Sequence, residues 1–307
     1  LNRKICKSYS CWAGSSAWNE RPTCTRELGI NLRDFELWLT ENLSRRYARD
    51  LLQYAKKFYP VLLKGDASII LRMSKGKRRM VMSSLANLAK FWGIYDRWKN
   101  IVKRYDLKWE GTTSLETFLS IFNTNLKSVK SWLLEIIPKL PRDYALLVIF
   151  IALTGVRGTE ACNSLRLISD LHERDELDHY LDEELLILEH FRFPNIFLRR
   201  SKKLFISFVT QNLLDIILQE RRIKPNYATL YTKLRRMGYP NKTHMLRKLY
   251  ATTLRNNGLP SELIDILQGR VSSSIFIKFY YKPLLIEMRN KVMSSIEPLE
   301  KELMSLL

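Results

Sequence analysis

Residues 243–283 read THMLRKLYATTLRNNGLPSELIDILQGRVSSSIFIKFYYKP, and the punctuation of this stretch decides the fold class. Residues 243–256 form a helix-like run closed by Asn256-Asn257-Gly258, a helix C-cap signal. Pro260-Ser261 then opens a second short helix over 262–268, which stops at Gly269. Within the first helix His244 and Arg247 lie three residues apart and share a face. An arginine offers paired charge-assisted bonds to a phosphate oxyanion, and a histidine donates a bond or moves a proton. A structural pair on a helix surface fits the same spacing. The stretch ends on Phe279-Tyr280-Tyr281-Lys282-Pro283, shortly after Gly269-Arg270. A tyrosine at such a place packs in a core or, in a basic DNA-binding protein, acts as a nucleophile.

Working outward, Thr154-Gly155-Val156-Arg157-Gly158-Thr159-Glu160 follows a buried apolar helix expected over 143–153. A glycine permits the tight turn, an arginine emerges, and Glu160 sits one helical turn further on, able to hold the guanidinium or helix N-terminal amides. Read alone, the pair is equally a surface ion pair. Residues 185–190 and 196–209 are the best strand candidates. Between them Arg199-Arg200-Ser201-Lys202-Lys203 reads as a hairpin tip, flanked by Ile196-Phe197-Leu198 and Leu204-Phe205-Ile206. Most of the rest has helical periodicity, so the expected fold is mainly α with a small antiparallel β-sheet.

The chain has 307 residues, which at about 150 per domain suggests two domains. Lys and Arg total 51 against 31 Asp and Glu, a formal charge of +20, so a polyanion is the expected partner. The excess is concentrated in 29–110, with 18 basic and 8 acidic residues on short helices interleaved with Tyr47, Tyr54, Trp92, Tyr95 and Trp98. Lys75, Lys77, Arg78 and Arg79 open one of those helices and are candidate phosphate contacts. Residues 170–189 carry nine acidic side chains and only Arg174 as a base, and are expected to face away from a nucleic acid. Residues 1–28 look like an irregular arm. Their cysteines, Cys6, Cys11 and Cys24, fall short of the four ligands of a structural zinc site. Four cysteines in all make no disulfide framework, which points to a reducing, intracellular setting; with a polyanion partner the expected place is cytoplasmic and nucleoid-associated. No apolar run is long enough to span a bilayer, and no basic amphipathic helix or lipidation signal suggests a membrane surface.

The ordered set TGVRGTE, a basic hairpin, HMLRKLYATTLRNNGLPSELIDILQGR and KFYYKP resembles the tyrosine recombinase (phage integrase) family. The resemblance runs from Arg157 to Pro283, and each motif is weak alone; four in order at the family's spacing are specific. The Gly269-Arg270 pair, where most members have Gly-His, and the Tyr-Tyr-Lys-Pro ending are similar to archaeal virus and plasmid integrases of the spindle-shaped-virus type.

The resemblance implies a helical core DNA-binding domain at 29–110, a mixed α/β catalytic domain at 111–297 and a C-terminal tail at 298–307. It also implies roles. Arg157, Arg247 and Arg270 would hold the scissile phosphate, with His244 bonding it and assisting proton transfer. Lys202 or Lys203 would protonate the departing 5′ oxygen, Lys202 being preferred. Tyr280, with Tyr281 beside it, would be the nucleophile, Phe279 standing where many bacterial members have theirs. Arg199, Arg200 and the remaining lysine would contact DNA. No cofactor or metal is implied, because the phosphotyrosyl bond conserves the phosphodiester energy. The partners would be double-stranded DNA attachment sites and a homotetramer passing through a Holliday junction, with integration or excision of a viral or plasmid element as the outcome. A non-cutting basic or architectural DNA-binding protein accounts for the charge but not for the Arg, His-x-x-Arg and Tyr set. A type IB-like topoisomerase shares the chemistry without strand exchange.

Overall fold

The computed structural model of the protein describes residues 32–307 except 124, 200–201, 221–222, 272–273 and 275. The expected arm at 1–28, and Arg200 at the hairpin tip, lie outside the described residues. The fold is mainly helical with one three-stranded antiparallel sheet. The chain divides into two compact units between Thr117 and Phe118, within α7 (Ser114–Phe122) rather than at the composition break near residue 110.

The first unit is built from α1 (Leu32–Asn42), α2 (Arg45–Phe58), α3 (Pro60–Lys64), α4 (Ser68–Leu71), α5 (Lys75–Phe91) and α6 (Tyr95–Arg104). On α2, Ala48, Leu51, Leu52, Ala55 and Phe58 recur at helical spacing and are all buried, while the basic residues fall on the other faces. That stripe packs on Val81, Met82, Leu85, Leu88 and Ala89 of α5. Ser84, fully buried between the two helices, donates its hydroxyl to Leu51 O at 2.6 Å. Trp98 of α6 closes the core. Aromatic packing therefore uses the inner face, and the charge is left outside.

In the second unit α9 (Arg142–Thr154) is the central helix, buried at every residue from Tyr144 to Thr154. Around it lie α8 (Leu126–Ile136), α10 (Gly158–His172), α11 (Pro194–Phe197), α12 (Gln211–Gln219), α13 (Tyr227–Arg236), α14 (Thr243–Asn256), α15 (Ser261–Leu267) and α16 (Leu285–Met304). Among the described residues no single helix is long and apolar enough to cross a membrane. Helix α16 packs on its own unit against α9 and α14 through Met288, Val292, Ile296, Leu299 and Leu303. Residues 298–307, expected as a tail, continue this helix to Met304, and Arg142 donates to Leu307 O at 2.6 Å.

The sheet consists of β1 (Leu181–Asp182), β2 (Ile187–Leu188) and β3 (Ser207–Phe208), in that order. Leu181 pairs with Leu188, and Leu188 with Ser207. The strand expected over 196–209 is therefore much shorter. Pro194 starts a helical turn in which its missing N–H costs nothing, so Ile196 and Phe197 are helical. The hairpin narrows to one bridge, Leu198 opposite Lys203, with Leu204 N bonded to Phe197 O at 3.1 Å.

Beneath the sheet runs a buried polar chain. His190 lies between Tyr180 Oη (2.7 Å from Nδ1) and Ser207 Oγ (2.6 Å from Nε2), and all three residues are sealed from solvent. Burial pushes the His190 imidazole down from 6.5 to about 3. Below pH 6.5 the unfolded chain therefore takes up a proton that the folded chain refuses, and stability is lost as pH falls through that window at about 1.4 kcal/mol per unit. Urea unfolding at pH 6.5 and pH 5 should show a loss smaller by about 2 kcal/mol in His190→Phe than in the wild type. Equal losses in the two proteins would mean that His190 is protonated in the fold.

Candidate active site

The turn between α9 and α10 places the first arginine. Gly155 ends α9 in the left-handed region (φ 66°), and the Tyr250 ring of α14 lies against it so closely that a Cβ would stand 2.2 Å from Tyr250 Cδ1. At Gly158, the first residue of α10, the Tyr227 ring of α13 leaves the same absence of room. Two tyrosines thus clamp the turn, and Arg157 occupies the N-cap between them. Its Nη1 donates to Lys203 O at 3.2 Å and lies 3.8 Å from Glu160 Oε1.

Glu160 is 1 % exposed, which for a carboxylate requires partners. It binds Arg199 of the hairpin in a close ion pair, while its Oε2 is buried without a hydrogen bond among the described residues. Arg199, expected on DNA, is paired with this carboxylate while its side chain stays 42 % exposed. The hairpin is further fixed at Lys203, whose carbonyl abuts Gly269 (φ 76°), where a Cβ would fall 1.7 Å from that oxygen.

Arg247 comes from α14. Its Nη2 donates to Gln268 O at 3.3 Å, and Gln268 Nε2 donates back to Arg247 O at 3.0 Å. The guanidinium is half-buried, and its Nη1 has no partner among the described residues. Burial pushes the group down to about 10, and the positive charges of Arg157 and Arg270 add to the effect, opposed by Glu160. Arg157, Arg270 and Glu160 thus all act on the Arg247 guanidinium. A buried donor without a partner and two like charges acting on the same guanidinium both cost free energy, which a neighbouring anion would offset. Arg270 is largely exposed and held by Asp265 at 3.3 Å.

Of the remaining predicted residues, Lys203 joins this cluster through its backbone carbonyl alone, and no hydrogen bond or ion pair among the described residues draws in the side chains of His244, Lys202, Lys203 or Tyr280. His244 is exposed on the first turn of α14, one turn from Arg247. Lys202 and Lys203 both have exposed side chains, and Lys202 N bonds Arg199 O at 3.2 Å in the hairpin turn. Tyr280 ends a π-helical turn, Phe276–Tyr280, and is 74 % exposed. Tyr281 is half-buried, stacked on Phe276 at 5.5 Å and packed on the core. Of the two adjacent tyrosines, Tyr280 is the one whose side chain is largely exposed.

On α5, Lys77 and Arg79 are exposed, but the other two basic residues are engaged locally. Lys75 pairs with Glu116 at 3.1 Å. Arg78 pairs with Glu110 at 2.9 Å and donates to Leu71 O and Met73 O, which makes it a local staple.

Three features of the site escaped the sequence reading: the Arg199–Glu160 pair, the Gln268 anchor of Arg247, and the tyrosine walls of the turn. Gly158 carried the one usable signal, since a glycine at the first turn of a helix marks a close approach. No group of three or more metal-ligating side chains occurs among the described residues. The chain matches no family model and no curated protein.

Proposed function

We propose that the chain is a site-specific DNA recombinase of the tyrosine type, acting on double-stranded attachment sites of a viral or plasmid element. The observation that supports this most directly is Arg247, a half-buried guanidinium with one donor unpartnered among the described residues, on which the charges of Arg157 and Arg270 act. A phosphodiester seated on the cluster accepts from its arginines, the Arg247 Nη1 coming within reach once the packing that seals it opens, and the three cations stabilise the extra negative charge of a pentavalent transition state. Tyr280 Oη attacks phosphorus as its proton passes to solvent water, and the P–O5′ bond breaks as a 3′-phosphotyrosyl bond forms. The departing 5′ oxygen takes a proton from Lys202 or Lys203 on the hairpin that docks at Arg157. His244, one helical turn from Arg247, hydrogen-bonds the phosphate. The freed 5′ hydroxyl of a partner duplex reverses the step, so no external energy source is consumed.

The test is covalent trapping. Protein is incubated in EDTA with nicked or supercoiled DNA bearing candidate attachment sequences, denatured in SDS and resolved by gel. The wild type and Tyr281→Phe are expected to form an adduct, and Tyr280→Phe none. Loss in Tyr281→Phe alone would move the nucleophile by one residue. Salt-sensitive binding with no adduct, on DNA carrying a verified attachment site, would replace the proposal with a non-cutting DNA-binding protein. An adduct that relaxes supercoils without exchange between two sites would replace it with a type IB-like topoisomerase.

A further inference from the structure

The basic hairpin is an excursion of the chain between His190 and Ser207. Its base is closed by Leu188 pairing with Ser207, by Phe191 N bonded to Phe205 O at 3.0 Å, and by the buried His190–Ser207 bond. Counting hydrogens orients the polar chain in one direction. Ser164 uses its hydroxyl hydrogen on Glu160 O at 3.0 Å, so it accepts from Tyr180 Oη at 3.1 Å. Tyr180 has then used its only hydrogen and must accept from His190 Nδ1–H. A neutral imidazole with hydrogen on Nδ1 accepts at Nε2, from the Ser207 hydroxyl. Every member is satisfied, and the chain ends on the backbone of Glu160, the residue that holds Arg199 and lies beside Arg157.

We infer that Ser207, His190, Tyr180 and Ser164 form a positioning relay that sets the lysine-bearing hairpin against the arginine cluster, an inference that rests on the function proposed above. None of the four touches substrate. They fix the base of the hairpin to α10, and α10 presents Arg157 and Glu160. Losing the Tyr180 hydroxyl strands His190 Nδ1–H and leaves Ser164 without its donor, losing the Ser207 hydroxyl strands His190 Nε2, and either loosens that base. The lysine then spends less time in reach of the leaving oxygen, while the arginines still bind the phosphate. The defect is therefore one of leaving-group protonation.

The test uses the full chain with Tyr180→Phe, Ser207→Ala and the conservative Ser207→Thr. Hydrogen exchange is followed on peptides covering 196–206 and on α9, and adduct formation is timed on ordinary DNA and on DNA with sulfur in place of the bridging 5′ oxygen. A thiolate leaves without protonation, so that substrate bypasses the lysine. Tyr180→Phe and Ser207→Ala are expected to exchange about tenfold faster in 196–206 with α9 unchanged. They should form adduct about tenfold more slowly on ordinary DNA, within twofold of wild type on the sulfur substrate, and recover in Ser207→Thr. Equal slowing on both substrates, or faster exchange everywhere together, would overturn the relay and leave a purely structural core. Wild type that forms no adduct on either substrate sinks the recombinase reading instead, and the hairpin exchange then decides the positioning claim by itself.

Discussion

Arg247→Ala is expected to slow covalent adduct formation by about a thousandfold or more, equivalent to about 4 kcal/mol of transition-state stabilisation. The guanidinium is half-buried, so its charge acts through little water, and its free Nη1 is the cluster's one buried donor without a partner among the described residues. Binding should suffer far less. With a formal charge of +20, most of the affinity comes from many phosphate contacts, and removing one is expected to lower the salt slope by about one. Arg247→Lys should restore little, because an ammonium reproduces the charge but not the fork that grips Gln268 and an oxyanion together. The measurement is single-turnover adduct formation at saturating DNA, beside the binding constant at two salt concentrations. Equal losses in rate and binding would mean that Arg247 holds DNA without favouring the transition state.

The parts of this site that were legible in the sequence are those written in local punctuation. The helix expected at 243–256 is α14, Thr243–Asn256, because a capped helix carries both of its boundaries in its own residues. Gly155 and Gly269 marked chain turns, and both adopt the left-handed backbone that favours glycine. The parts that were not legible depend on distant partners. Arg199 looked like any basic residue at a hairpin tip, and its partner Glu160 lies 39 positions away. A single sequence has no way to show that a carboxylate on α10 is buried and in need of a cation. The amphipathic stripe of α16 does not name the surface it covers, and the structure supplies α9 and α14. The sheet defeated the strand rules for a related reason. Its strands are two residues long, too short for alternation to be seen, and Pro194 opens a helical turn inside a β-branched and aromatic run.

Gly269→Ala is expected to be the most damaging single-atom addition at the site, and Gly258→Ala provides its control. Both glycines have positive φ, 76° and 83°, so each alanine meets the left-handed penalty of about 1 kcal/mol. They differ in what the new Cβ meets. At Gly258 nothing lies within 4 Å, whereas at Gly269 the Cβ would stand 1.7 Å from Lys203 O, a backbone atom with no side-chain freedom to yield. Either the hairpin or the segment after α15 must move, and overpacking of this kind adds about 1–3 kcal/mol. The expected losses in urea unfolding are therefore about 1 kcal/mol for Gly258→Ala and about 2–4 kcal/mol for Gly269→Ala. The displacement also falls on the carbonyl that accepts from Arg157, so Gly269→Ala should lose adduct formation at temperatures where it remains folded, and Gly258→Ala should keep it. If the two alanines cost the same and both keep the adduct, Lys203 is not held against Gly269 in solution. The docking of the hairpin on the arginine cluster, from which the assignment of the general acid follows, would then have to be abandoned.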